Sequence, residues 1–175
     1  ADVLWTKVIA SEKGRMCAWP TVAKAKDGAL VAVFSGDREA HICPWGQVQM
    51  VRSTDDGETW SAPRTIGKTK LDDRDAGIVT LPDGRLFVTW FNWSSDGGAT
   101  WTSPEKLVSL RSQTPHGPIL LKDGSLMQFG RRFQDSLKKM FTPHYYEHTS
   151  IMAERSTDGG RTWTTLCDEI ADATG

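Results

Sequence analysis

One octapeptide pattern, S-x-D-x-G-x-T-W, occurs three times, and a chain that repeats a turn of this kind is built from stacked copies of one small unit. The copies are Ser53-Thr54-Asp55-Asp56-Gly57-Glu58-Thr59-Trp60, Ser94-Ser95-Asp96-Gly97-Gly98-Ala99-Thr100-Trp101 and Ser156-Thr157-Asp158-Gly159-Gly160-Arg161-Thr162-Trp163. Each position has a physical use. The Ser and Asp side chains bond nearby backbone amides and tie a turn shut. Gly57, Gly98 and Gly160 supply positive φ where the chain reverses. Trp60, Trp101 and Trp163 open the returning strand and bring an apolar body expected to pack against the next unit. Ser53, Asp55, Ser94, Asp96, Ser156 and Asp158 are accordingly read as structural, with the glycines and tryptophans.

A second signal runs in step with the first. An Asp-Gly pair separates two β-rich runs in each unit: Asp27-Gly28 between 21–26 and 29–34, Asp83-Gly84 between 77–81 and 86–91, and Asp123-Gly124 between 118–121 and 126–129. Asp-Gly in that setting marks a hairpin. Each unit then reads as strand A, Asp-Gly turn, strand B, a longer loop, strand C, octapeptide turn, strand D. Four antiparallel strands, repeated, make a propeller blade, so the expected class is an all-β propeller. The whole chain, 1–175, is read as part of one propeller, with blade units near 15–66, 74–108 and 114–170. Three blades do not close a ring, which takes about four to eight.

The spacing is uneven. Gly28 and Ser53 are 25 residues apart and Gly124 and Ser156 are 32 apart, but Gly84 and Ser94 only 10. With strand B running to about Phe91, only Asn92 and Trp93 remain for a loop and strand C. Two explanations stand: a degenerate middle blade, or a segment missing between 91 and 94. The second is favoured.

Composition removes whole classes of function. Lys and Arg number 21 against 22 Asp and Glu, so no electrostatic footprint for nucleic acid or anionic lipid exists. No run is apolar for the roughly 18 residues a membrane helix needs. No leader peptide is expected in Ala1-Asp2-Val3-Leu4-Trp5, although a cleaved leader fits a chain that starts without Met. Cys17, Cys43 and Cys167 lack metal-ligand spacing and are read as unreactive thiols, with a Cys17–Cys43 bridge as the alternative. No metal or cofactor is expected.

Topology says where to look for chemistry. Strand A runs to the Asp-Gly turn and strand B returns, so the B–C loop lies at the starting end and the octapeptide turn at the far end. Ligand-binding groups should therefore come from starts of strand A, ends of strand B and the B–C loops. The first unit places Asp37, Arg38, Glu39 and His41 there, and the second Asp72, Asp73, Arg74 and Asp75. The third places His116, Arg131 and Arg132, and a long loop with His144, Tyr145, Tyr146, Glu147 and His148. Arginines can fork onto a carboxylate, and carboxylates, histidines or a Tyr–Glu pair can transfer protons or attack a substrate. Asp37–Arg38 and Arg74–Asp75 can equally be structural ion pairs, His116 can orient a rigid turn, and the tyrosines can be packing groups.

The three octapeptides, the Asp-Gly hairpins and their order resemble the Asp-box, or bacterial neuraminidase repeat, family: sialidases and sialidase-like proteins. The resemblance implies a six-bladed propeller when complete. It implies retaining cleavage of terminal sialic acids, with three arginines on the substrate carboxylate, an acid/base Asp, and a Tyr nucleophile assisted by Glu. Arg38 fits the arginine after strand B of the first blade, and Asp37, Glu39 and His41 are the groups nearest the acid/base position. Ala18-Trp19-Pro20 stands where the family carries Arg-Ile-Pro, with Arg15 three residues earlier. Tyr145 and Glu147 lie in a different blade from the family nucleophile.

The expectation is a secreted or periplasmic sialidase-like glycoside hydrolase acting on a terminal, acidic sugar of a glycan. Asp37, Arg38, His41, Arg74 and Asp75 would be catalytic, with Asp37 or His41 as proton donor. His116, Arg131, Arg132 and Tyr145 would bind substrate. The alternatives are a non-catalytic carbohydrate- or protein-binding propeller, or a polysaccharide lyase on a related propeller. A chain that is truly a partial propeller would also self-associate.

Overall fold

A computed structural model of the chain describes residues 5–70, 72–89, 92–103, 112–113, 116–133 and 149–167. Every regular element among them is a β-strand, in three antiparallel sheets. The first sheet is β1 (Met16–Lys24), β2 (Leu30–Arg38), β3 (Gln47–Ser53) and β4 (Arg64–Gly67), hydrogen-bonded in chain order. The second is β5 (Ile78–Thr80), β6 (Leu86–Val88) and β7 (Asn92–Ser94). The third holds β8 (Ser112–Gln113), β9 (Ile119–Leu120), β10 (Leu126–Phe133), β11 (Thr149–Ser156) and β12 (Thr164–Cys167). Both β8 and β9 pair with β10, so the innermost strand of this blade is interrupted.

The Asp-Gly turns are built alike. In the first, the Ala25 N–H donates to Ala29 O (2.7 Å), the Gly28 N–H to Ala25 O (2.9 Å) and the Ala29 N–H to Asp27 Oδ1 (3.1 Å). The same three bonds recur at 81–85 and 121–125.

The octapeptide turns repeat still more closely. Ser53 Oγ accepts the Gly57 N–H (2.9 Å) and donates to Asp55 Oδ1 (2.7 Å). Asp55 also accepts the Thr59 N–H (2.9 Å) and hydroxyl (2.5 Å), and the Trp60 indole N–H donates to Gly57 O (2.9 Å). Ser94–Trp101 and Ser156–Trp163 reproduce this set. Donors led by the threonine hydroxyl hold the Asp55 and Asp96 carboxyls down at about 2. At Asp158 burial pushes the carboxyl up, but bonds from Thr162, Ser156 and the Arg161 N–H outweigh it and the net shift is downward.

The core lies between the sheets and obeys the alternation of a strand. Ile78, Leu86 and Val88 face the first sheet and pack with Ala25, Val31, Val33, Val48 and Met50. Val79, Phe87 and Trp93 face the third and pack with Leu126 and Trp163. Phe87 stacks on Trp93 with centroids 5.1 Å apart. Burying one such large apolar side chain contributes about 1.5–3 kcal/mol. The box tryptophans depart from expectation in direction. Trp101 packs into the cluster shared with the first sheet, and Trp163 against Phe87 and Trp93 of the second. Each therefore packs toward the preceding blade, because the turn folds onto the sheet face pointing that way.

Polar bonds knit neighbouring blades at the outer turns. Residue Arg52, just before the first octapeptide, donates from Nε to Gly97 O of the second (3.1 Å). Trp93, at the matching position of the second, donates from Nε1 to Gly159 O of the third (2.9 Å). Inner strands also touch. Thr21 Oγ1 accepts the Ile78 N–H (3.0 Å), and a Cβ on Gly77 would stand 2.0 Å from Gly117 Cα. Ile9 and Ala10 cover the far face of the first sheet, over Ala32, Phe34 and Val51.

In the middle blade strand B ends at Val88, and Val88 faces Asn92 in register. Strand C of this blade is β7, with three residues where β3 has seven.

Candidate functional site

Strand pairing fixes which residues share an end. Met16 faces Arg38 across β1 and β2, Gly36 faces Gln47 across β2 and β3, and Leu30 faces Ser53 at the opposite end. The start of strand A, the end of strand B and the 39–46 loop therefore meet at one end, with the octapeptide turns at the other. Residues 72–75, leading into β5, reach this same end: the Asp75 N–H donates to Ser35 Oγ (3.0 Å).

Arg38 is the hub, and it is completely buried. Its Nη1 lies 2.7 Å from Asp72 Oδ1, a close ion pair rather than a well-aligned hydrogen bond, and 3.4 Å from Asp73 O. Its Nη2 donates to His41 O. Trp19 lies across the guanidinium, with Cζ 5.4 Å from the ring centroid. A Cβ on Gly46 would stand 2.2 Å from Nη1, so the loop must carry glycine to close over this group. Burial pushes the Asp72 carboxyl up, but Arg38, the Cys43 N–H (3.1 Å) and Arg74 outweigh it, and the net shift is downward. Arg38 thus ties loop 39–46 to the segment entering the second blade and presents nothing to solvent.

Asp37 and Asp75 are partly accessible, their side chains 26% and 35% exposed, and Glu39, paired with Arg15, is more open still. Asp37 accepts Gln47 Nε2 (2.5 Å) and lies 3.4 Å from Arg15 Nε; Asp75 lies 4.0 Å from Arg74 Nε. Arg74 also pairs with Asp72 (3.6 Å) and donates to His41 O (3.0 Å). His41 is exposed, its ring edge-on to Trp19 with centroids 5.0 Å apart.

Four non-glycine residues have a left-handed backbone among those described: Trp19 (φ 52°), Asp37 (52°), Asp56 (52°) and Asp75 (60°). Asp56 belongs to an octapeptide turn. The other three gather around Arg38. Asp tolerates this conformation; a bulky tryptophan is a true outlier, held at a β-bulge where the β1–β2 register shifts between Ala18 and Thr21. Strain of this kind costs about 1–3 kcal/mol and concentrates at functional sites.

The structure therefore brings together Asp37, Arg38, His41, Arg74 and Asp75. His116 is exposed at the inner edge of the third blade, beside the Gly77–Gly117 contact. Arg131 and Arg132 pair through their backbones with Gln113 and Ser112. Tyr145, with His144, Tyr146, Glu147 and His148, lies outside the described residues. Sequence reasoning named Asp72 at this end without its role as the acid that neutralises Arg38, and Trp19 without a place in the site. A tryptophan immediately before a proline at the mouth of strand A was the available signal for the latter. Asp73 is fully buried and accepts the Thr69 hydroxyl (2.7 Å), closing a local turn. All three cysteines are free.

No protein-family model and no curated protein matches the chain. Solved structures do. A protein of unknown function from Dyadobacter fermentans superposes with a TM-score of 0.68 at 19% identity, covering 90% of this chain and 56% of that one. A Hadza microbial sialidase gives 0.64 at 18%, covering 85% and 37%. The GH93 α-L-arabinofuranosidase of Fusarium graminearum, solved with arabinobiose, gives 0.60 at 14%, covering 95% and 53%. The chain spans between 37% and 56% of the length of these three proteins. At such identities the likeness establishes architecture. The chain has the fold of a sialidase-like β-propeller, of which it supplies three blades.

Proposed function

We propose that the chain is the glycan-processing part of a glycoside hydrolase, acting at a terminal sugar from the end of the propeller that holds Asp37 and Asp75. The observation that supports this reading is the gathering of Trp19, Asp37 and Asp75, all in strained left-handed backbone, around one buried arginine at the axial end of adjacent blades. Asp37 is the proton donor of choice: it is carried on the end of a central strand and positioned by Gln47 and Arg15. Asp75, on the neighbouring blade, is the second carboxylate that glycosidic cleavage commonly uses. Similarity in fold to proteins described as a sialidase and an arabinofuranosidase agrees with this reading. Such an enzyme would work outside the cytoplasm, where glycans are met; no helix among the described residues is long and apolar enough to cross a membrane.

The test is hydrolysis of a panel of aryl glycosides and short oligosaccharides by the wild type and by Asp37→Asn and Asp75→Asn. Asparagine keeps the left-handed backbone and the shape while removing the proton and charge. The expected result is loss of turnover by at least a hundredfold with an unchanged melting temperature. Full activity in both variants overturns the assignment. Binding without hydrolysis in the wild type favours a carbohydrate-binding module, a reading supported by the pairing of Arg15, Arg38 and Arg74 with acids of this chain.

A further inference from the structure

The class of sugar follows from how the charges at this end are already spent. Recognition of a carboxylated sugar needs a guanidinium with its fork free to take two carboxylate oxygens. Three arginines at this end, Arg15, Arg38 and Arg74, have theirs engaged. Arg15 is engaged by Glu39 (2.7 Å) and Asp37 (3.4 Å). Arg38 is fully buried against Asp72, and Arg74 is shared between Asp72 (3.6 Å) and Asp75 (4.0 Å). Lys68 donates to Gly46 O (3.2 Å). An acidic ligand that used one of these three arginines would have to break its pair, and the carboxylate it freed would then face the ligand as a like charge.

What the site offers instead suits hydroxyls and an apolar ring face. Asp37 and Asp75 are acceptors with part of their surface open, able to take a pair of adjacent hydroxyl donors. Trp19 is half-buried, its indole backed by the Arg38 guanidinium on one side and braced at its edge by His41. A flat ring braced in that way is a floor on which the C–H face of a sugar can rest. A tryptophan at φ 52° is retained against its backbone cost, where glycine would fit the bulge with less strain.

We propose that this end of the propeller takes an uncharged sugar, stacked on Trp19 and hydrogen-bonded through its hydroxyls to Asp37 and Asp75, and rejects sugars bearing a carboxylate. The inference rests on the glycan reading above and reverses the acidic-sugar expectation drawn from the charged cluster at this end.

The experiment is calorimetric titration of the full chain with arabinobiose, lactose, 3′-sialyllactose and digalacturonate, repeated with Trp19→Gly. One or both neutral disaccharides should bind, with the two acidic ones at least tenfold weaker. Trp19→Gly should weaken neutral binding at least tenfold while leaving the melting temperature equal or higher, because glycine relieves the left-handed strain. Tighter binding of sialyllactose or digalacturonate overturns the inference and leaves the glycan reading intact. Failure of all four to bind overturns the glycan reading itself. Undiminished neutral binding by Trp19→Gly, or a lowered melting temperature with unchanged affinity, removes Trp19 from the site and makes its role structural.

Discussion

Gly77→Ala is expected to destabilise the protein by about 3 kcal/mol, while Gly36→Ala, with an equally close first contact, costs under about 1 kcal/mol. At both positions an added Cβ would meet its nearest atom at 2.0 Å, and at neither does φ bar a side chain. The difference lies in what is met. At Gly36 it is the far end of the Gln49 side chain, which can rotate away. At Gly77 it is the backbone of Gly117, with Cα and N both at 2.0 Å and His116 C at 2.6 Å. Carbon atoms rest about 3.5–4.0 Å apart, so relief requires the inner strands of two blades to separate by roughly 1.5 Å. The strand that carries Gly77 is also joined to the first blade, through Thr21 and the Ile78 N–H, and cannot shift independently. A loss near the top of the overpacking range follows. With a urea m-value of about 2 kcal/mol/M, the unfolding midpoint of Gly77→Ala should fall by about 1.5 M, and that of Gly36→Ala by less than about 0.5 M. Equal midpoints for the two variants would refute the claim that blade approach at the axis is set by backbone contact.

Two further outcomes follow from the charges. Arg38→Ala should destabilise by about 3–5 kcal/mol, since it strands the partly buried Asp72, and chemical denaturation measures it. Acid should weaken the octapeptide turns. Asp55 and Asp96 titrate at about 2 in the folded chain against about 3.9 unfolded, so their contribution is complete above about pH 4 and lost as pH falls from there towards 2. Melting temperature followed over that window should drop more steeply for the wild type than for an Asp55→Asn/Asp96→Asn double variant, and parallel slopes would contradict the assignment.

The octapeptide and the Asp-Gly pair determined, by themselves, the unit of this protein and the direction of its strands. Both are local. The bonds from Ser53, Asp55 and Thr59 close within eight residues, and the Asp27 turn closes within five. Short-range chemistry of that kind is legible because a few fixed residue types suffice for it. The alternation of Ile78 and Val79, or of Leu86 and Phe87, was legible for the same reason, since a strand sends successive side chains to opposite faces. Topology then placed Asp37, Arg38, His41, Arg74 and Asp75 at one end.

Tertiary structure alone decided what those residues do there. Arg38 read as a substrate ligand because an arginine in a loop is usually exposed; its burial depends on Asp72, 34 positions away, and on Gly46 closing over it. Trp19 gave no sign of its left-handed backbone, which exists only because the β1–β2 register slips beside it. In each case the deciding energy, an ion pair or a tolerated strain, arises between segments distant in sequence. A pattern read along one chain contains the groups but not their meeting.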